Sequence, residues 1–190
     1  MTRRLLTLLP AAWLALVTGA LHAATGWQVD RERSRLVFVP VVDGGELTGR
    51  FERFDATVEC DPADLSQSRL VVDVDLGSAA SGDAERDDAL KGPDFFAIAQ
   101  WPHALFEAVR FRAVGPGRFE AQGKLRLRDV TREVPVRFEF SSTDGATARL
   151  KGSARVRRLD FGVGQGDLRD TKWIADEVRV EFDLNLRRRP

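Results

Sequence analysis

The side chains able to do covalent or acid–base chemistry are few. The sequence has two histidines, His22 and His103, one cysteine, Cys60, and no tyrosine. A single thiol excludes an intramolecular disulfide and a cysteine-based zinc site. His103 follows Pro102 and precedes the apolar run at Leu105. A lone histidine in that setting is more often a packing or loop residue than a general base. A Ser-His-Asp arrangement is not excluded, but nothing in the spacing points to one. Gly162, Gly164 and Gly166 lie in the segment DFGVGQGD. Such glycines cradle phosphate when their N–H groups converge at a helix start. No helical pattern follows them, so a turn between two strands fits better. Arg158, Arg169 and Lys172 lie nearby and either attract an anionic headgroup or form a solvated rim. The densest aromatic cluster is Phe95, Phe96, Trp101 and Phe106. It either plugs one end of a core or lines the mouth of an apolar cavity.

Those residues must be positioned by a chain of 190 residues, enough for one domain with a sizeable core. The charges balance at 29 basic and 29 acidic residues, which leaves no electrostatic footprint for nucleic acid. Residues 1–24 read as a secretory signal peptide: Arg3 and Arg4, an uncharged apolar run from Leu5 to Leu21, then Ala23 and Ala24. The alternative is an uncleaved anchor, since 17 residues is the short edge of a bilayer span. Cleavage leaves a domain over residues 25–190 with a net charge of −2 and His103 as its one histidine. A three-histidine metal site is then impossible within one mature chain.

The dominant pattern is alternation with period two, the mark of strands with one buried face. Val178, Val180, Phe182, Leu184 and Leu186 fall on one face; Arg179, Glu181, Asp183 and Asn185 fall on the other. The runs 54–60, 70–76, 118–128 and 131–140 behave alike. Weaker strands are expected over 27–30, 33–42, 105–113 and 146–159. Asp43-Gly44-Gly45, Asp61-Pro62, Gly115-Pro116-Gly117 and Asp144-Gly145 supply turns. Eight or nine antiparallel strands of this length favour closure, because a barrel has no open edges. Ser81 to Lys91 breaks the pattern as a short helix, capped by Asp83 or Ser81, stopped by Gly92-Pro93 and expected to cap one end of the barrel. The fold expected is all-β, a single antiparallel barrel of about eight strands. Its polar face is densely charged and must meet water, unlike the lipid-facing exterior of an outer-membrane barrel.

A barrel of this size is either filled by side chains or holds one small ligand. Ala121, Gly123, Ala148, Gly152 and Ala154 fall on the inner face. Small residues there either leave volume or relieve crowding and permit bends. Phe119, Phe138, Phe140 and Phe182 supply apolar walls.

The chain resembles the YceI-like, or polyisoprenoid-binding, family over nearly its whole mature length. The resemblance is carried by Trp27-x-Val29-Asp30 with Ser34, Gly49-x-Phe51, Arg86-Asp87-x-x-Leu90, Asp94-Phe95-Phe96 and Trp101-Pro102-x-x-x-Phe106. It continues through Gly123-x-Leu125, Val130-Thr131, Arg158-x-Asp160-Phe161-Gly162, Gly164-x-Gly166 and Asp176-x-Val178-x-Val180. It implies a lipocalin-like barrel with an elongated cavity, a periplasmic location, and binding of an isoprenoid-type lipid such as a prenyl chain or quinone. Arg33, Ala89, Arg126, Asp129 and Leu168 depart from the family pattern, which puts headgroup choice in question.

The function expected is passive sequestration of a lipid tail, with no catalytic residue, no metal and no catalytic cofactor. The apolar contacts expected are Phe38, Phe51, Phe54, Phe95, Phe96, Trp101, Phe106, Phe119, Phe138, Phe140, Phe161 and Phe182. Arg158, Arg169 and Lys172 are expected at a headgroup. At about 0.3 kcal/mol per heavy atom, a tail of about 40 carbons reaches about −12 kcal/mol. The rivals are a periplasmic hydrolase on a lipid-linked substrate, which needs His103 beside a carboxylate and a nucleophile, and a module delivering quinone to a membrane redox protein. The chain is expected as a monomer or homodimer.

Overall fold

The computed structural model describes residues 25–142 and 144–189. The leader expected over residues 1–24 lies outside the described residues. Among the described residues the strands are β1 Gly26–Val29, β2 Arg35–Val39, β3 Val41–Val42, β4 Gly45–Glu46, β5 Gly49–Phe51, β6 Phe54–Glu59 and β7 Arg69–Asp75. They continue with β8 Ala79–Ala80, β9 His103–Gly115, β10 Arg118–Leu127, β11 Val130–Ser142, β12 Thr147–Arg157 and β13 Glu177–Arg188. One helix, α1, spans Ala84–Lys91.

These segments close into an eight-stranded antiparallel barrel. β9 to β13 pair in sequence order, and β13 pairs with both β1 and β2. β1 and β2 are thus one stave, interrupted at Arg31–Arg33 by a turn of 3-10 helix. Ser34 holds the break: its Oγ donates to the Asp30 carbonyl at 2.7 Å and accepts the Asn185 N–H at 2.9 Å. β5 and β6 form a second broken stave, β7 and β8 a third. The 33–42 run therefore falls short of the continuous strand its composition suggests. Its β-branched residues favour a strand, but the stave bends, and β3 with β4 leaves it as a small hairpin.

The alternation has the consequence read from sequence: apolar side chains turn inward, charged ones outward. Cross-strand pairs such as Arg149–Asp183, at 2.7 and 2.6 Å, cover the outside. Glu120 also points outward, yet is only 4% exposed, because Arg112 and Arg137 close over it at 2.6 and 3.0 Å. Those guanidiniums hold its carboxyl down at about 2, against an ordinary 4.5.

One half of the interior is solid. Trp27 meets Phe140 edge-on at 5.6 Å, and Phe119 stacks on Phe138 at 5.5 Å, with Leu186 buried among them. The two inward glycines do not open space either. A methyl group on Gly123 would overlap the Phe106 ring, and one on Gly152 would overlap Phe182 and the Arg137 carbonyl. Crowding, not volume, explains both glycines. Ala121 and Ala148 are likewise buried in this packed region.

At the other end, Asp83 caps α1 by accepting the Arg86 N–H at 2.9 Å. Ser81 instead donates its N–H and Oγ to Asp87 at 2.7 and 2.6 Å. Leu90 is the α1 side chain that packs on the core here, beside Phe96 of the following loop.

Candidate functional site

Between these ends lies a central cavity of about 180 Å³. It is walled by inward residues of nearly every stave, among them Leu36, Phe51, Val72, Leu125, Val136, Ala154, Val180 and Phe182. Every lining residue except Arg158 is apolar. The volume is small for the ligand expected. Waters take about 30 Å³ each in the liquid, so the space equals about six of them. A space of that size has room for a short stretch of hydrocarbon chain, not for forty carbons.

Six of the twelve expected rings line this space: Phe38, Phe51, Phe54, Phe96, Phe106 and Phe182. Phe119, Phe138 and Phe140 instead form the solid half. Phe161 is 2% exposed within the packing of the other end, and Phe95 packs against that same cluster. Trp101 lies under the Arg128 guanidinium, 5.0 Å from its ring centre. Aromatic content alone thus misplaced half the set. Of the aliphatic wall, Val72, Leu125, Val136, Ala154 and Val180 were already marked by their place on the inner face of the alternation.

Arg158 is not a headgroup ligand at an open rim. It is 4% exposed, and all five of its N–H donors point at backbone carbonyls. Nε donates to Ala175 at 3.0 Å, Nη1 to Val163 and Gly164 at 3.0 and 3.4 Å, and Nη2 to Leu168 and Ile174 at 2.8 and 2.7 Å. Burial pushes the guanidinium below its ordinary value, and the Asp176 charge acts in the opposite direction. The glycine-rich segment is the mould for this side chain. Gly164 has a φ of +83°, and a methyl group there would occupy the position of Nη1. Arg169 and Lys172 are exposed on the same loop, and Arg169 donates to Gln165 at 3.2 Å.

Arg128 makes a second clamp that sequence reasoning did not find. It sits in the turn after β10 with a φ of +56°, and donates to the carbonyls of Phe95, at 2.9 Å, and Gly162. The Asp94 carbonyl meanwhile accepts the N–H groups of Gly164 and Gln165 at 2.6 and 2.9 Å. Three loops are bolted together over this end of the cavity. No local pattern announces Arg128, because its partners are 33 and 34 residues away.

His103 opens β9 and lies on the outer surface. Its Nδ1 is 2.6 Å from Asp73 Oδ1, and both side chains are half exposed. They line an outer groove whose one hydroxyl residue is Ser34. That Oγ is engaged by Asp30 and Asn185. A histidine–carboxylate pair is present, then, with no unengaged hydroxyl in its groove.

The YceI-like domain model matches residues 27–186, all eight staves of the barrel. The chain belongs to the YceI-like family. A UPF0312 protein of Vibrio cholerae is 32% identical over 122 residues, covering 62% of this chain and 65% of that protein. The match thus spans just under two thirds of the relative's length. A UPF0312 protein of Pseudomonas aeruginosa is 28% identical over 157 residues, 78% of this chain and 82% of that one. Among solved structures, Burkholderia cenocepacia BcnA superposes with a TM-score of 0.80 at 30% identity, covering 83% of this chain and 98% of BcnA. A polyisoprenoid binding domain from Saccharophagus degradans, implicated in plant cell wall breakdown, shares the fold. Its TM-score is 0.69 at 18% identity, over 88% of this chain and 100% of the domain. Within this YceI-like barrel, none of the departures at Arg33, Ala89, Arg126, Asp129 and Leu168 lines the cavity. Leu168 serves Arg158 through its backbone carbonyl, which is indifferent to its side chain.

Proposed function

We propose that this YceI-like protein is a carrier that holds part of the hydrocarbon tail of an isoprenoid-type lipid, a prenyl chain or quinone, in the barrel cavity. One observation carries the reading: the cavity wall is apolar throughout, and the donors of its one polar residue are all engaged. Such a wall offers a polar ligand nothing in exchange for its hydration, but removes an apolar chain from water at about 0.8 kcal/mol per CH₂. The polyisoprenoid binding domain of the same fold supports the choice of lipid class. The leader-like residues 1–24 support a periplasmic place of work.

The test is a series of prenols of two to six isoprene units, titrated against the mature protein. At about 0.3 kcal/mol per heavy atom, each unit tightens binding about tenfold until the cavity is full, after which affinity levels off. Native mass spectrometry of protein taken from its own periplasm should find bound lipid. Absence of both lipid and prenol binding would reject the carrier.

A further inference from the structure

Both ends of the cavity are built up. The solid aromatic half blocks one, and the Arg128 and Arg158 clamps bolt the other. The wall, however, has a seam. The ladder between β1 and β6 stops at Gln28 opposite Thr57, and pairing resumes only at Leu36 opposite Phe51, between β2 and β5. Residues 29–35 and 52–56 face each other across the interval without strand pairing.

Each lip is hydrogen-bonded away from the gap. The Asp30 N–H goes to Asn185 at 2.8 Å, and Ser34 bonds Asn185 as well. On the other lip the Glu52 N–H goes to Ser78 at 3.1 Å, and the Arg53 carbonyl accepts the Asp75 N–H at 3.1 Å. The Ala56 N–H turns to the Asp55 carboxylate at 2.9 Å. Parting the lips therefore breaks no ladder. Among the described residues, the ion pair that crosses the gap is Arg31–Asp55, 2.5 Å long, with its side chains 66% and 61% exposed. An exposed pair of this kind holds weakly.

Directly outside the seam lies the groove that contains His103 and Asp73. It shares three side chains with the cavity: Leu36, Phe51 and Phe54. Phe51 and Phe54 are only half buried although both face the interior. These three side chains border both spaces.

We propose that the lipid tail enters and leaves sideways through this seam, past Leu36, Phe51 and Phe54, with Arg31–Asp55 as the latch. The proposal rests on the carrier reading. It places the headgroup in the part of the outer groove beyond the latch, where the rim carries Arg50, Arg53 and His103 with Asp73 and Asp75. The clamped end loops then need not open.

Stopped-flow fluorescence with dansyl-labelled farnesol tests the route, with unlabelled farnesol as chase. A latch that touches no ligand changes both rates equally. Arg31→Ala combined with Asp55→Ala should speed association and release by about three- to fivefold and leave Kd unchanged. A double variant, Arg31→Cys with Asp55→Cys, is then bridged by a reducible bis-methanethiosulfonate linker. Bridging should slow both rates at least tenfold, and reduction should restore them. Cys60 does not interfere, because burial pushes its thiol up to about 11. The matching bridge at the barrel end, Asp94→Cys with Gln165→Cys, should leave the rates unchanged. Unaltered rates in the bridged seam, or slowing only by the end bridge, overturn the seam while leaving the carrier intact. Failure of the unmodified protein to bind the probe at all defeats both.

Discussion

Replacing Ala154 with leucine should stabilise the protein while weakening its hold on a lipid tail. Ala154 sits on β12 opposite Val136 and Val180, and all three line the cavity. Leucine adds three carbons to space that is otherwise unfilled. Burying them is worth about 2.4 kcal/mol at 0.8 per carbon, less about 0.5–1 for the frozen rotamer. The net gain is about 1.5 kcal/mol, or about 3–6 °C in Tm for a domain of this size. The same three carbons of tail are displaced, which at about 0.3 kcal/mol per heavy atom costs the ligand about 0.9 kcal/mol, or about fourfold in Kd. Ala121, with no exposed surface, belongs to the solid half. There the identical change overpacks, and should destabilise by about 1–3 kcal/mol. Urea denaturation followed by tryptophan fluorescence, with prenol titration of each variant, gives both numbers. If Ala154→Leu destabilises as much as Ala121→Leu, the cavity is not the space described. If it stabilises but binds prenol as tightly as before, the tail sits elsewhere.

Arg158→Lys offers at most three donors to five carbonyls, leaving at least two bare at about 1–3 kcal/mol each. A loss of about 2–6 kcal/mol in urea unfolding is expected, and a loss under about 1 would show that the clamp is unimportant. Glu120 is held at about 2 by Arg112 and Arg137, so its folded value lies below the ordinary 4.5. Its contribution is complete above about 4.5 and is lost as pH falls toward 2. The urea midpoint of Glu120→Gln should therefore decline less than the parent's over that window; parallel declines would contradict the pairing. The Cys60 thiol, pushed up to about 11 by burial, should resist an aromatic disulfide reagent at pH 8 until the protein unfolds. Rapid labelling of the native protein would show that the site is open.

The inner face of β13 was legible because its alternation leaves one solution: Val178, Val180, Phe182 and Leu184 inside, their charged neighbours outside. The same logic gave the closed barrel, since eight such strands leave no comfortable edge. The site was legible only in part. Phe119 and Phe106 look alike in sequence, both being aromatic and flanked by strand. One is buried in the solid half and the other lines the cavity, because the stagger of the staves sets the height at which each ring enters. Arg158 looked like a rim cation because a charged residue beside glycines is normally solvated. Only the folded loop shows five carbonyls converging on it.

Local chemistry therefore determined the class of fold, the sidedness of β10, β11 and β13 and the scarcity of catalytic groups. These depend on neighbours two residues apart, and period-two patterning records them directly. Tertiary structure decided which half of the barrel is solid, which loops are bolted and where the wall is unzipped. Those outcomes depend on contacts such as Arg128 with Phe95, Ser34 with Asn185, and Arg31 with Asp55. Their members lie 33, 151 and 24 residues apart, and no local pattern encodes a meeting at that distance.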